Sequence, residues 1–137
     1  MYASIAQLEE VLALCHKAQQ LSDTHGGMPV NVEKARESLR FFICDPHSLV
    51  LYNGTAVLIA QAAPSWCRDG YMIVNHLVYA DKNGLPLIRE YLRWAKGFPG
   101  HNDIFLGTSY GGEKGERAET LFSKLGLKRV GAQHKVI

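Results

Sequence analysis

The last quarter of the chain carries a helix pattern that ends at a glycine, and this pattern constrains the fold more than any other. Apolar residues recur there at the spacing of one helix face, at Ala118, Leu121, Phe122 and Leu125. Gly126 follows, and helices often end in a left-handed conformation that favours a residue without a Cβ. The sequence therefore predicts a short helix that packs by one face and ends at Gly126. Strands are expected after it, near Arg129 and over residues 133–137.

Length and composition limit the class of protein. A chain of 137 residues with 47% hydrophobic and 20% charged residues has the profile of a globular protein, so residues 1–137 are expected to form one domain. No run approaches the roughly 18 apolar residues that a membrane span needs. The first residues lead into an amphipathic pattern and differ from a signal peptide. We therefore expect a soluble cytoplasmic protein with no membrane partner.

The cysteines and histidines show no pattern of a disulfide framework or a metal site. Cys15, Cys44 and Cys67 are odd in number and far apart, so we expect them to be reduced. Cys15 and Cys44 are predicted to fill the core, whereas Cys67 lies in a turn-like stretch and is predicted to be exposed. The histidines share no ligand spacing, and no metal is expected.

Charge is distributed unevenly along the chain. Residues 1–81 contain five Lys/Arg and eight Asp/Glu, a balance of −3, whereas residues 82–137 contain ten and five, a balance of +5. A basic half favours an anionic partner. The cations stand singly or in pairs, without the aromatic interleaving of a nucleic-acid surface, so nucleic acid is disfavoured. A small phosphorylated ligand explains the charge, and a merely solvated surface explains it too.

Two helices are predicted in the N-terminal part. Ser4 and Gln7 have the spacing of a capping box, and an apolar helical period continues over residues 5–21. Asn31 can cap a second helix, which we expect over residues 32–43 because a proline follows shortly after.

A hairpin is predicted next. Two apolar, β-branched runs occupy residues 48–52 and 55–60, joined by Asn53-Gly54. This pair favours a two-residue type I′ turn, so the two runs are expected to form adjacent antiparallel strands.

The remaining elements predict a strand, a helix and a strand in βαβ order. A third strand is expected over Tyr71–Tyr79, and the residues Asp81 to Gly84 open a helix that ends at Gly97. A further strand is expected over Asp103–Thr108. A right-handed crossover would place it beside the third strand and parallel to it.

The element order and the terminal pattern together resemble the GCN5-related N-acetyltransferase (GNAT) family. In that family the last helix ends in a Leu-Tyr-x-x-Leu-Gly-Phe-like run, and this chain matches it with Phe122 in place of the tyrosine. The preceding helix ends in Trp-Ala, as Trp94-Ala95 does here. The resemblance implies an α+β fold whose mixed, mostly antiparallel sheet is flanked by about four helices. The family's first strand would fall on Met1–Ala3. The chain also looks like small acetyltransferase-like proteins encoded by bacteriophages.

The resemblance also implies acetyl-CoA as a co-substrate. Strand residues would face its thioester and pantetheine chain, while the loop before the third helix would hold its pyrophosphate. The implied cofactor-binding residues are Leu77, Val78, Tyr79, Lys82, Asn83, Gly84, Leu85, Ser109 and Phe122. The loop lacks most of the glycines and the arginine usual in the family. An ordinary tight turn is the alternative interpretation.

Three catalytic residues follow from the same resemblance. His76 is the candidate general base, because an imidazole accepts a proton near neutral pH. Asn75 could order a water molecule, although strand alternation is expected to direct one of Asn75 and His76 into packing. Tyr110 is a candidate for the acid that protonates the departing thiolate, with Ser109 as a substitute, because Phe122 has no proton to donate.

Two function classes stay open at this point. The first is an N-acetyltransferase that acts on a primary amine of a small molecule, peptide or protein. The second is a GNAT-fold protein that has lost catalysis and serves as a binding or structural protein, for example in a phage virion or against its host. A generic α+β domain is a third interpretation. The sequence allows a monomer or a homodimer and does not identify the acceptor.

Overall fold

Two helices open the chain, as predicted. The computed structural model describes residues 1–22, 29–108, 112–134 and 136. A 3-10 turn over Ile5–Gln7 leads into α1 (Leu8–Leu21), and α2 spans Val32–Cys44. The predicted capping box is present before α1, and the Asn31 side chain accepts a hydrogen bond from the Lys34 backbone N–H (3.1 Å). Residues 23–28, between the two helices, fall outside the described residues.

A four-stranded mixed sheet follows, in the order β1-β2-β3-β4. Its strands are β1 (Ser48–Tyr52), β2 (Ala56–Pro64), β3 (Tyr71–Ala80) and β4 (Asp103–Ile104). The first three are antiparallel neighbours, and β4 lies parallel to β3. Helix α3 (Leu85–Lys96) makes the crossover between them, and α4 (Gly112–Lys124) comes last. The predicted α+β architecture is therefore confirmed.

The N-terminal segment lies along the free edge of β1. Tyr2 forms an isolated antiparallel bridge with Leu51, and the Ala3 backbone N–H donates to the Val50 carbonyl oxygen (2.9 Å). The segment thus occupies the place of the first strand that the resemblance implied, although it is too short to count as one.

Helices cover both faces of the sheet, and each face has its own apolar core. On one face α1 and α2 pack on sheet residues that include Val57, Leu77 and Tyr79. On the other face α3 packs on Leu58 and Ile73, with part of α4 against the same cluster. Strands β1, β2 and β3 each contribute residues to both cores, so the sheet separates the two halves of the molecule.

The predicted type I′ turn between β1 and β2 is wrong. Such a turn needs a positive φ at both central residues, but only Gly54 has one (φ +97°). The turn is longer, because the Asn53 side-chain oxygen accepts hydrogen bonds from the backbone N–H groups of Thr55 (3.1 Å) and Ala56 (2.9 Å). The side chain thus replaces the backbone pairing that a two-residue turn requires.

Three further predictions are corrected by the structure. Strand β4 ends at Ile104 and does not reach Thr108. No strand is assigned within the described part of residues 127–137, where the side chains of Val130 and Val136 are exposed and find no sheet to pack on. Cys44 is exposed instead of buried, because it lies on the outer side of the last turn of α2, while Cys67 is exposed as expected.

Cys15 is partly buried, and burial raises the pKa of its thiol to about 12. It is therefore a neutral thiol at physiological pH.

None of the helices in the described ranges is long and apolar enough to cross a membrane.

Candidate active site

Strands β3 and β4 pair at only two positions and then diverge, which creates a fork. The second of these positions joins Ile73 to Ile104, and the Phe105 backbone N–H then donates to the Ile73 carbonyl oxygen (2.8 Å). Further along, the side chain of Asn75 replaces the backbone ladder. Its Nδ2 donates to the Gly107 carbonyl oxygen (2.8 Å), and its Oδ1 accepts from the Gly107 N–H (2.8 Å). The length of one side chain therefore separates the two backbones at this point.

A buried tyrosine from α3 closes the narrow end of the fork. The Tyr91 hydroxyl donates to the carbonyl oxygens of Phe105 and Ile73, the latter at 3.3 Å. Burial raises the pKa of Tyr91, so the hydroxyl stays protonated and remains a donor. A buried tyrosine usually requires such a partner for its hydroxyl. The sequence offered only a weak signal of this role, which was a tyrosine on the apolar stripe of α3.

Strand β3 contains a β-bulge at His76. Ile59 of β2 pairs with Leu77, but its neighbour Ala60 pairs with Asn75, so His76 is the extra residue. In a regular strand adjacent side chains point to opposite faces. The bulge breaks this alternation, because His76 and Leu77 both line one cavity on the α1 and α2 side. Sequence alternation alone could not reveal this arrangement.

The His76 imidazole is fixed from two sides. Its Nε2 lies 2.8 Å from the side-chain oxygen of Gln61, and its ring stacks on Phe42 with centroids 5.3 Å apart. Because a carbonyl oxygen can only accept, this contact assigns the proton to Nε2 and leaves Nδ1 with a free lone pair. Burial lowers the pKa of His76 below its ordinary value of 6.5, so the ring is neutral at pH 7.

The cavity beside His76 has a volume of about 190 Å³ and lies between α1, α2 and the sheet. Most of its wall is apolar, with an aromatic ring from Phe42 and a partly buried thiol from Cys15. The lining residues are Leu12, Cys15, His16, Gln19, Val30, Val32, Ala35, Ser38, Leu39, Phe42, Ile59, His76 and Leu77. A concave apolar site with a few polar groups is the usual form of a small-molecule pocket.

The loop before α3 is tied to the turn between β1 and β2. The Thr55 hydroxyl donates to the Lys82 carbonyl oxygen (2.9 Å), and Asn53 Nδ2 donates to the Asn83 carbonyl oxygen (2.9 Å). Asn83 adopts a positive φ of 61°, a conformation that asparagine tolerates better than most residues. With both carbonyl groups held by the turn, this tight loop has a fixed conformation.

Gly84 joins this loop to the start of α3. A Cβ at this position would lie 2.8 Å from the Cβ of Ala80, so only glycine fits. The first backbone N–H groups that bond back onto the helix are those of Leu87 and Ile88, both to the Gly84 carbonyl oxygen (3.1 and 3.2 Å). Pro86 has no N–H, so the Leu85 N–H is the first-turn donor without a partner within the helix, and it lies at the positive end of the helix dipole. Such donors suit a phosphate group.

An exposed ion pair connects helix α1 to the same loop. Lys17 Nζ lies 3.0 Å from a carboxylate oxygen of Asp81, and the Tyr79 hydroxyl donates to the other oxygen (2.7 Å). The hydrogen bond from Tyr79 and then the ammonium of Lys17 lower the pKa of Asp81. The Tyr79 side chain therefore points toward the α1 side of the sheet and away from the fork.

Helix α4 packs its last turns against the core on the α3 side and ends at Lys124, and Gly126 follows in the predicted left-handed conformation. Gly126 has a φ of +85°, and the Leu127 N–H donates to the Phe122 carbonyl oxygen (3.0 Å), which closes a Schellman motif. The Phe122 ring is partly buried against the core on the α3 side. Ser109 and Tyr110 fall outside the described residues, so their positions are not assigned.

The structure thus brings some of the predicted site residues together and separates others. Asn75, His76, Leu77 and Val78 follow one another along β3, at the fork and its adjoining cavity. The loop over 82–85 lies at the far end of the same strand. Within the described ranges, no group of three or more His, Cys, Asp or Glu side chains is arranged to hold a metal ion. Sequence reasoning missed Gln61 and Phe42, which orient His76, and also Tyr91.

No protein-family model matches the chain, and no curated protein matches it. Its fold does occur in solved structures. A protein described as a probable acetyltransferase superimposes with a TM-score of 0.73 at 13% identity, over 100% of this chain and 95% of that one. A transcriptional regulator from Bacillus halodurans gives 0.68 at 14% identity, over 100% and 97%. An aminoglycoside N-acetyltransferase in complex with CoA gives 0.65 at 12% identity, over 98% and 90%.

These likenesses lie far below the identity at which activity can be transferred, and they establish the fold alone. They extend over nearly all of this chain and of each compared chain. Four helices and a mixed sheet in the same arrangement give this chain the α+β fold of the GNAT acetyltransferases.

Proposed function

We propose that this protein is an N-acetyltransferase that uses acetyl-CoA and a primary amine. The observation that carries the proposal is the bulge in β3, which directs a neutral imidazole into a cavity directly beside the fork between β3 and β4. A general base, an acceptor pocket and an open strand edge thus meet within a few residues of one strand. This combination is what acetyl transfer to an amine requires of a protein.

The residues around the fork fit acetyl-CoA as a ligand. The separation at Asn75 opens the edge of β3 to a pantetheine chain, with Leu77, Val78 and Tyr79 following along the strand. The Leu85 N–H at the start of α3, together with the exposed Lys82, would hold the diphosphate. Acetyl-CoA would supply an acetyl group already activated as a thioester.

The chain's own residues would then handle the amine. Nδ1 of His76 accepts the proton that the amine loses as its nitrogen bonds to the acetyl carbon and the carbon–sulfur bond breaks. Gln61 holds the ring in the required tautomer and still accepts a hydrogen bond once the ring is charged. A thiol of ordinary pKa near 8.5 is a tolerable leaving group, so transfer can proceed although Phe122 stands where the family carries a tyrosine.

Cofactor binding is the first test. Acetyl-CoA at about 100 times its dissociation constant should stabilise the fold by roughly 2.7 kcal/mol, read as a rise in melting temperature. Lys82→Glu should reduce this shift, because it places a negative charge beside the proposed phosphate site. Lys34→Glu is the matched control, since Lys34 lies on α2 and on the other face of the sheet. Absence of any shift at millimolar acetyl-CoA would overturn the proposal, as would equal effects of the two variants.

A non-catalytic binding protein is the second candidate, and Phe122 is the observation that favours it. The ring packs against the core on the α3 side, where a hydroxyl without a partner would cost about 1–3 kcal/mol. If the protein is an enzyme, Phe122→Tyr should raise the rate of CoA release and leave the melting temperature nearly unchanged. A destabilised variant with no activity would instead support the binding protein.

A further inference from the structure

We infer that the acceptor is a primary amine carried on one small uncharged apolar group, such as a single aromatic ring, and that the cavity beside His76 binds that group. The inference rests on the proposed function and specifies its substrate class. It excludes polycationic acceptors of the kind that aminoglycosides represent.

The size of the cavity sets the first limit. Its volume of about 190 Å³ is close to the roughly 150 Å³ of a dry apolar cavity that binds one benzene ring. One ring or one branched aliphatic group therefore fills the space between α1, α2 and the sheet. A sugar with several rings does not fit inside it.

The chemistry of the wall sets the second limit. Among the described residues that line the cavity there is no Asp, Glu, Lys or Arg, and the polar members are His16, Gln19, Ser38 and His76. Nearby carboxylates on α1 are engaged elsewhere, since Glu9 pairs with Arg36 and Glu10 accepts from the Tyr52 hydroxyl. A second ammonium group buried in the cavity would thus lose its water without gaining a counter-ion from the described lining residues, which is strongly unfavourable.

The position of His76 orients the acceptor. One ring face of His76 stacks on Phe42, so the polar end of the cavity adjoins an aromatic surface. An amine that reaches His76 Nδ1 leaves its apolar body among Leu12, Leu39 and the Phe42 ring. The apolar and aromatic side chains of the cavity would bind the apolar part of the acceptor through van der Waals contacts. Its one amine would lie at His76.

The test compares two amines of similar length. With acetyl-CoA, we expect kcat/KM for 2-phenylethylamine to exceed that for 1,4-diaminobutane by on the order of 100-fold, because the pocket rejects the second charge. Ala35→Phe places a ring in the cavity from α2 and should lower kcat/KM for 2-phenylethylamine by a similar factor. The melting shift with acetyl-CoA should be unchanged in this variant, which also shows that it is folded. Ala13→Phe, on the exposed side of α1, is the matched control and should change neither quantity.

Direct binding separates this inference from the proposed function. Titration with 2-phenylethanol, the uncharged analogue, measures occupation of the cavity without any transfer chemistry. Saturable binding to the wild type that is lost in Ala35→Phe supports the assigned acceptor class even if no amine is acetylated. Equal or faster acetylation of 1,4-diaminobutane would overturn the inference while leaving the acetyltransferase intact. Absence of 2-phenylethanol binding would overturn it as well.

Discussion

Single residues would determine the proton chemistry of the proposed site, and His76 is the one most fully defined by its contacts. Gln61 fixes which nitrogen carries the proton, Phe42 fixes the plane of the ring, and burial keeps the ring neutral. Neither partner lies near His76 in sequence. His76 could be selected as a candidate base from the sequence, whereas its orientation depends on contacts between α2, β2 and β3 that only the fold creates.

Acid should therefore slow acetyl transfer in a defined range. Because the pKa of His76 is lowered from 6.5, the rate should hold constant near pH 7 and fall only as the pH drops below 6.5. His76→Ala should lose on the order of 100-fold in rate with an unchanged acetyl-CoA melting shift. The exposed His134, changed to alanine, serves as the control. An acid limb that persists in His76→Ala would assign the titration to another group.

The lowered pKa of His76 also makes the stability of the fold depend on pH. The unfolded chain takes up a proton at His76 near pH 6.5, before the folded chain does, so the contribution of the neutral ring is complete above that pH and declines below it. Melting temperatures measured between pH 7.5 and 5 should fall more steeply for the wild type than for His76→Gln. Parallel curves would contradict this assignment.

Helices and strands with a strong local pattern followed the sequence closely, whereas the features that build the site did not. The limits of α1 and α2 could be predicted because caps and apolar period agree there. The bulge could not, because a run such as Tyr71–Ala80 shows no local sign of one extra residue. Strand β4 stops early because the Asn75 amide bonds to Gly107 where the ladder would have continued. That bond joins residues 32 positions apart and leaves no mark in either segment.

A substitution of Gly84, at the junction between β3 and α3, tests whether the close packing of this residue supports the proposed phosphate site. Gly84→Ala would place a Cβ 2.8 Å from Ala80, and overpacking of this kind typically costs about 1–3 kcal/mol. We expect a lower melting temperature and weaker acetyl-CoA binding. Gly131→Ala is the matched control, because no atom lies within 4 Å of a Cβ added there and its φ is not positive. Tight acetyl-CoA binding by Gly84→Ala would show that the phosphate is held elsewhere.

At the scale of the whole molecule, the proposed amine pocket lies on one face of the sheet, and the proposed acetyl-CoA site lies at the fork on its edge. The cavity belongs to the core that α1 and α2 form with the sheet, whereas α3 and α4 cover the opposite face. The sequence predicted the elements on each side, but not which pocket they would enclose. An apolar stripe predicts that a helix packs by one face. The shape of a cavity depends on how the helices and the sheet pack together, which the stripe does not reveal.

The ion pair between Lys17 and Asp81 connects the proposed amine pocket to the proposed phosphate site. Lys17 follows the cavity-lining residues Cys15 and His16 on α1, and Asp81 begins the loop before α3. A ligand that shifts α1 would therefore act on that loop, and by thermodynamic linkage each substrate would alter the affinity of the other by the same factor. We expect the dissociation constant of CoA to depend on 2-phenylethanol in the wild type and to become independent of it in Lys17→Met. In kinetic terms, this ion pair would make the apparent KM of each substrate depend on how far the protein is saturated with the other.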